Sequence, residues 1–105
     1  MGLYLETPGL RRDKAQALLR EMGGVQVTVP PRLDEVPGDS LLVCVVNNGN
    51  WDAALVVADD FDHRRTTLDR SGRPLTWLLL PRAAVVENLR RHHPTKNLAL
   101  YGIGA

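Results

Sequence analysis

The sequence has one cysteine, Cys44, among 105 residues, so no disulfide can close within the chain, and a reducing cytoplasm is the expected setting. Aromatic residues make up only 5%, which leaves little ring area for stacking on nucleic-acid bases. No apolar run approaches the ~20 residues that a membrane-spanning helix needs. The opening Met1-Gly2-Leu3-Tyr4-Leu5-Glu6 lacks the basic start, long apolar middle and small-residue cleavage site of a secretory signal. Glu6 also stands where a myristoylation motif requires Ser or Thr. Ser40 and Ser71 are the only serines, and neither sits in a Gly-x-Ser-x-Gly elbow. The Walker pattern and the dinucleotide fingerprint Gly-x-Gly-x-x-Gly are both missing. These absences predict a soluble chain with no membrane anchor, no recognisable cofactor and no catalytic motif.

What is present is enough apolar material for one core, at 44% hydrophobic residues. Leu41-Leu42-Val43-Cys44-Val45-Val46 is six apolar residues in a row, closed by Asn47-Asn48-Gly49-Asn50. Such a run reads as a strand buried on both faces, which demands packing layers on each side. Gly2 to Glu6 reads as a short first strand, broken by Thr7-Pro8-Gly9. From about Leu10 to Met22, Ala15, Leu18, Leu19 and Met22 form a helical stripe, and Gly23-Gly24 stops it. Val25 to Val29 alternates with period two, as a half-buried strand does, and Pro30-Pro31 ends it.

A polar connection follows, with Leu33 and Val36 as anchors. Beyond the buried strand, Asn48-Gly49 suits a hairpin turn that returns through residues 53–58 as a strand, although a helix from Asp52 also fits. Residues 59–65 suit a short helix with acids first and bases last. Leu75 to Leu80 is a second apolar strand, and Pro81 opens a helix through about His93. Leu98 to Tyr101 suits an edge strand or a docking segment.

The expected fold is therefore α/β (α+β), a single domain over residues 1–94 with a tail or edge strand at 95–105. Its elements run β-α-β-β-β-α-β-α, giving a small mixed sheet of about five strands with two to three covering helices. The first strand–helix–strand unit is expected to be a right-handed crossover between parallel strands.

Charge is nearly balanced at +1 but unevenly spread. From Leu33 to Asp62 the charged residues are Asp34, Glu35, Asp39, Asp52, Asp59, Asp60 and Asp62. From His63 to Lys96 they are mainly Arg64, Arg65, Arg70, Arg73, Arg82, Arg90, Arg91 and Lys96. Pairing of the two halves across the fold would explain this, and so would two surfaces that steer a partner.

Specific chemistry finds less support. Asp60, Asp62 and His63 lack a second ligand cluster, so no metal is expected. His92 and His93 lie about 100° apart on a helix and suit the negative end of its dipole beside Arg90 and Arg91. Cys44 sits mid-strand, where a thiol is an inert hydrophobe. The strand-to-helix turn from Thr7 to Lys14 offers Thr7, Gly9, Arg11, Arg12 and Lys14 to a phosphate, as an alternative reading. Nucleic-acid binding is possible through the arginines, but the near-neutral total argues against a dedicated binder.

Three pieces taken together carry a resemblance. Leu5-Glu6-Thr7-Pro8 with Lys14-Ala15, Val45-Val46-Asn47-Asn48-Gly49 with Ala53-Ala54, and Trp77-Leu78-Leu79 leading to Arg82 resemble small α/β proteins encoded in tailed-phage genomes. The acidic connection and the long tail depart from that pattern. That family carries no assigned activity or catalytic residues, so none transfers. The resemblance implies an accessory protein in the host-cell cytoplasm that blocks a host nucleic-acid-processing or defence complex, for example as an anti-CRISPR.

The reading is thus a non-catalytic inhibitor that binds a host protein or complex. Asp59, Asp60 and Asp62 form one expected patch, able to imitate a nucleic-acid backbone. Arg64, Arg65, Arg70, Arg73, Arg90 and Arg91 form the other.

Overall fold

The computed structural model describes residues 3–5, 12–29, 31–48, 51–57, 68, 72 and 74–101. Its strands are β1 (Leu3–Tyr4), β2 (Val25–Val27), β3 (Ser40–Asn48), β4 (Trp51–Val57) and β5 (Thr76–Pro81). Its helices are α1 (Arg12–Glu21) and α2 (Arg82–His92), with 3-10 turns at Leu33–Glu35 and Leu98–Tyr101. The α+β class holds. The expected short helix at 59–65 lies outside the described residues.

Four antiparallel strands in the order β4-β3-β5-β2 carry the sheet, and the two-residue β1 adds a fifth row beside β4. The expectation of a mixed sheet is corrected here. β1 and β2 point the same way but lie at opposite edges with three strands between them, so no parallel pair forms. The apolar β3, with five consecutive buried residues from Leu41 to Val45, takes the centre. The local hairpin brings β4 to one side of it, and β5 fills the other. The two shortest strands are left at the rims. Residues 52–57 are strand rather than helix, and the ladder runs to Asn48↔Trp51. Asn48, expected as one of the two turn residues, is instead a paired residue of β3, and Gly49 lies outside the described residues.

Register divides the sheet into two unequal faces. Leu41, Val43, Val45, Ala54, Val56, Leu78 and Leu80 face α1 through Leu19 and α2 through Val85 and Leu89. Both described α-helices pack on this one face. The opposite face carries Leu42, Cys44 and Trp77, with Val27, Val36, Val46, Val57, Leu75 and Leu79 partly buried around them. β3 is buried on both sides, as its apolar run implies, and Val36 of the preceding connection packs against its second row.

The end of α1 follows from Gly23-Gly24. The Gly24 N–H donates to the Leu19 carbonyl at 2.8 Å and the Gly23 N–H to the Arg20 carbonyl at 2.9 Å. Those two bonds make a Schellman stop, which requires a left-handed residue at its first position. Gly23, at φ +94°, supplies it. The half-buried reading of the strand after it needs correcting: Val25 is 64% exposed and only Val27 is half-buried, because β2 sits at the rim.

Residues Leu98–Tyr101 form a 3-10 turn and not an edge strand. Leu98 is buried in the main core, so this segment is the docking alternative and does not pair along an edge.

Candidate functional site

α2 exposes charge at its end because its apolar positions are spaced to point the other way. Val85 and Leu89, four residues apart, are fully buried and fix the helix on the sheet. Positions 90 and 91 then fall off that stripe, and Arg90, Arg91 and His92 occupy the last turn. There the carbonyl end of the helix dipole favours positive charge. The His93 N–H donates to the Leu89 carbonyl at 2.7 Å, and the Lys96 N–H donates to the His93 carbonyl at 3.1 Å. This second turn, anchored beyond by Leu98, brings Lys96 round to the same end of the fold.

Arg90, Arg91, His92 and Lys96 are all exposed, and His93 is half-buried. Arg91 Nη2 lies 2.7 Å from Glu87 Oε1, one turn back, with both side chains about two-thirds exposed. Such a solvated pair stabilises the helix by only a few tenths of a kcal/mol. Arg90 has no ion-pair partner among the described residues. Among the described residues, Glu87 is the carboxylate that pairs with this basic helix end.

Of the residues singled out in the sequence, the structure places Arg90 and Arg91 side by side on this surface. Asp59, Asp60, Asp62, Arg64, Arg65, Arg70 and Arg73 lie outside the described residues. So do Thr7, Gly9 and Arg11 of the alternative phosphate site; Arg12 opens α1, and Lys14 is exposed two residues further on.

Two other charged positions are engaged locally. Arg32 Nε donates to Glu35 Oε1 at 2.9 Å and lies 3.4 Å from Asp34 Oδ1, so part of the acidic stretch is neutralised by its own neighbour. Arg82 is tied to the connection before β3: its backbone N–H donates to the Asp39 carbonyl at 2.7 Å, and its Nε to the Gly38 carbonyl at 3.0 Å. Lys96 was missed by sequence reasoning, since only the turn after α2 returns it to the helix end.

Among the described residues no group of three or more His, Cys, Asp or Glu side chains is placed to hold a metal ion. No described helix is long and apolar enough to cross a membrane. Cys44 is 3% exposed in one cluster with Leu42 and Trp77, where a reagent in solution does not reach its sulfur. A disulfide-exchange reagent such as DTNB is expected to modify it at least about a hundredfold more slowly in the native protein than in urea, because attack requires opening of the sheet. Equal rates in the two conditions would contradict the burial.

Comparisons with known proteins return no match to any family model, any curated protein or any solved structure.

Proposed function

We propose that this chain is a small, non-catalytic interaction module that works by occupying a partner's surface. The basic end of α2 is its described contact. One observation carries the reading: Arg90, Arg91, His92 and Lys96 project within seven residues from an element locked down by Val85, Leu89 and Leu98. A rigid base spares the ordering cost that weakens contacts made by mobile loops. Arginine is also a side chain that tends to dominate binding energy.

The partner that fits is an acidic surface of a protein or protein complex. The finer reading is a phage-type accessory protein that inhibits a host nucleic-acid-processing or defence complex, of the anti-CRISPR kind. It is supported by the three sequence pieces quoted above and by a net charge too close to zero for a general polyanion binder.

The test compares the wild type with the double variant Arg90→Ala, Arg91→Ala. Alanine is the best helix former, so the fold is expected to persist, with the melting temperature within about 2 °C. Both proteins are used to capture a complex from bacterial lysate, and the purified complex is then titrated. Affinity is expected to fall about tenfold or more in the variant and to weaken with added salt in the wild type. Equal affinities would remove the α2 end from the interface. Tight binding to a duplex DNA with a steep salt slope would replace the reading by nucleic-acid recognition. A rise in melting temperature with millimolar ATP would favour the alternative phosphate site.

A further inference from the structure

From Arg70 to the last residue the sequence carries the cationic side chains Arg70, Arg73, Arg82, Arg90, Arg91 and Lys96, and a single acidic one, Glu87. That acid stands in α2 three residues before Arg90 and four before Arg91, so it lies one turn below both on the helix surface. Its Oε1 is 2.7 Å from Arg91 Nη2, and the Glu87 and Arg91 side chains are 68% and 67% exposed. A solvated pair of this kind adds little to a helix already fixed on the sheet by Val85 and Leu89. Its larger effect falls on what approaches from outside. An anion seated between Arg90 and Arg91 comes within about 5.4 Å, one helical pitch, of a fixed negative charge. That lies inside the screening length of about 8 Å at physiological salt.

Resting on the reading of the basic α2 end as a protein contact, we infer that Glu87 sets which partners it takes: it admits an acidic protein segment and repels the backbone of duplex DNA. Duplex DNA carries one charge per about 1.7 Å of axis, so a phosphate that meets Arg90 or Arg91 brings its neighbours up to Glu87. The DNA backbone has no cation or hydrogen-bond donor to offer that carboxylate. A protein surface carries sparser charge of both signs. It can set a carboxylate on Arg90 and a lysine, hydroxyl or amide on Glu87. The same acid is then neutral or favourable toward one class of partner and repulsive toward the other, which is how a weak site gains specificity. For one exposed charge the effect on affinity is about two- to fivefold, and it grows with the number of phosphates inside the screening length.

The experiment titrates the protein with two probes at about 50 mM salt: a duplex DNA of about 16 base pairs, and a helical peptide bearing a pair of Asp with a Lys one turn away. Glu87→Gln keeps the shape of the side chain and removes its charge, and its melting temperature is expected to stay within about 2 °C of the wild type. In this variant duplex affinity is expected to rise about fivefold and peptide affinity to fall about twofold, a change of about tenfold in their ratio. Glu87→Asp retains the charge and should keep that ratio within about threefold of the wild type. A ratio unchanged in Glu87→Gln, or moved as far by Glu87→Asp, overturns the inference. The α2 contact itself still stands in that case if Arg90→Ala, Arg91→Ala weakens peptide binding. Peptide binding untouched by the double variant removes the contact, and the role of Glu87 with it. So does a wild type that binds neither probe at about 1 mM.

Discussion

Leu78→Ala is expected to lower the unfolding free energy by about 3–4 kcal/mol, and Leu79→Ala by only about 1 kcal/mol, although the two leucines are adjacent on one strand. Leu78 is 1% exposed and points into the cluster shared by β3, α1 and α2. Its Cδ2 lies 3.3 Å from where a Cβ on Gly24 would stand, so it also fills the space under the α1–β2 turn. Removing it leaves a void in a cluster that both helices help to fill, and a well-packed layer relaxes only partly into the cavity. Leu79 is half-buried on the opposite face, flanked by Leu42 and by the exposed Val25. Truncation there opens onto solvent and leaves little enclosed void. Urea titration at constant slope is the measurement, with the midpoint falling roughly three times further for Leu78→Ala. Stability for a domain of this size is about 5–15 kcal/mol, so the larger loss removes a substantial share of it. Equal losses would mean that the two positions are equally packed, against the burial of Leu78 at 1% and the half-buried Leu79.

The elements that were legible in the sequence are those whose signal is local. Six apolar residues at 41–46 identify β3, the spacing of Ala15 and Leu19 with Gly23-Gly24 identifies α1 and its stop, and Pro81 marks the junction of β5 and α2. Strand neighbours are a different matter, because pairing is decided between residues far apart in sequence. Val25 to Val29 alternates as any half-buried strand does, and nothing in that period says that it will sit at a rim. Counting charge by stretches overlooked one local pairing for a related reason. The acidic run was counted from Leu33, while the cation that pairs with Asp34 and Glu35 is Arg32, one residue earlier. Arg90 and Arg91 were legible as surface residues because Val85 and Leu89 claim the buried stripe. Lys96 was not, because its position depends on a turn held by two backbone bonds.

The second large effect is expected at the α1–β2 turn, where Gly24→Ala should cost about 2–3 kcal/mol and Gly23→Ala about 1–2 kcal/mol, for different reasons. A Cβ on Gly24 would stand 2.6 Å from the Leu19 carbonyl oxygen, the atom that the Gly24 N–H itself bonds at 2.8 Å. Backbone cannot step aside there without loosening the Schellman bond and lifting the last turn of α1 off Leu78. Gly23 is strained by conformation instead, since φ +94° is a region that side chains with a Cβ avoid. Its Cβ would meet the Pro81 ring at 3.0 Å, and that ring can yield a little. The two causes are separable. Gly23→Asn should recover part of the loss of Gly23→Ala, because asparagine tolerates the left-handed region, whereas Gly24→Asn should be no better than Gly24→Ala. Thermal melts of the four variants give the comparison. Recovery at both positions, or at neither, would show that backbone conformation at Gly23 and steric exclusion at Gly24 are not what end the helix.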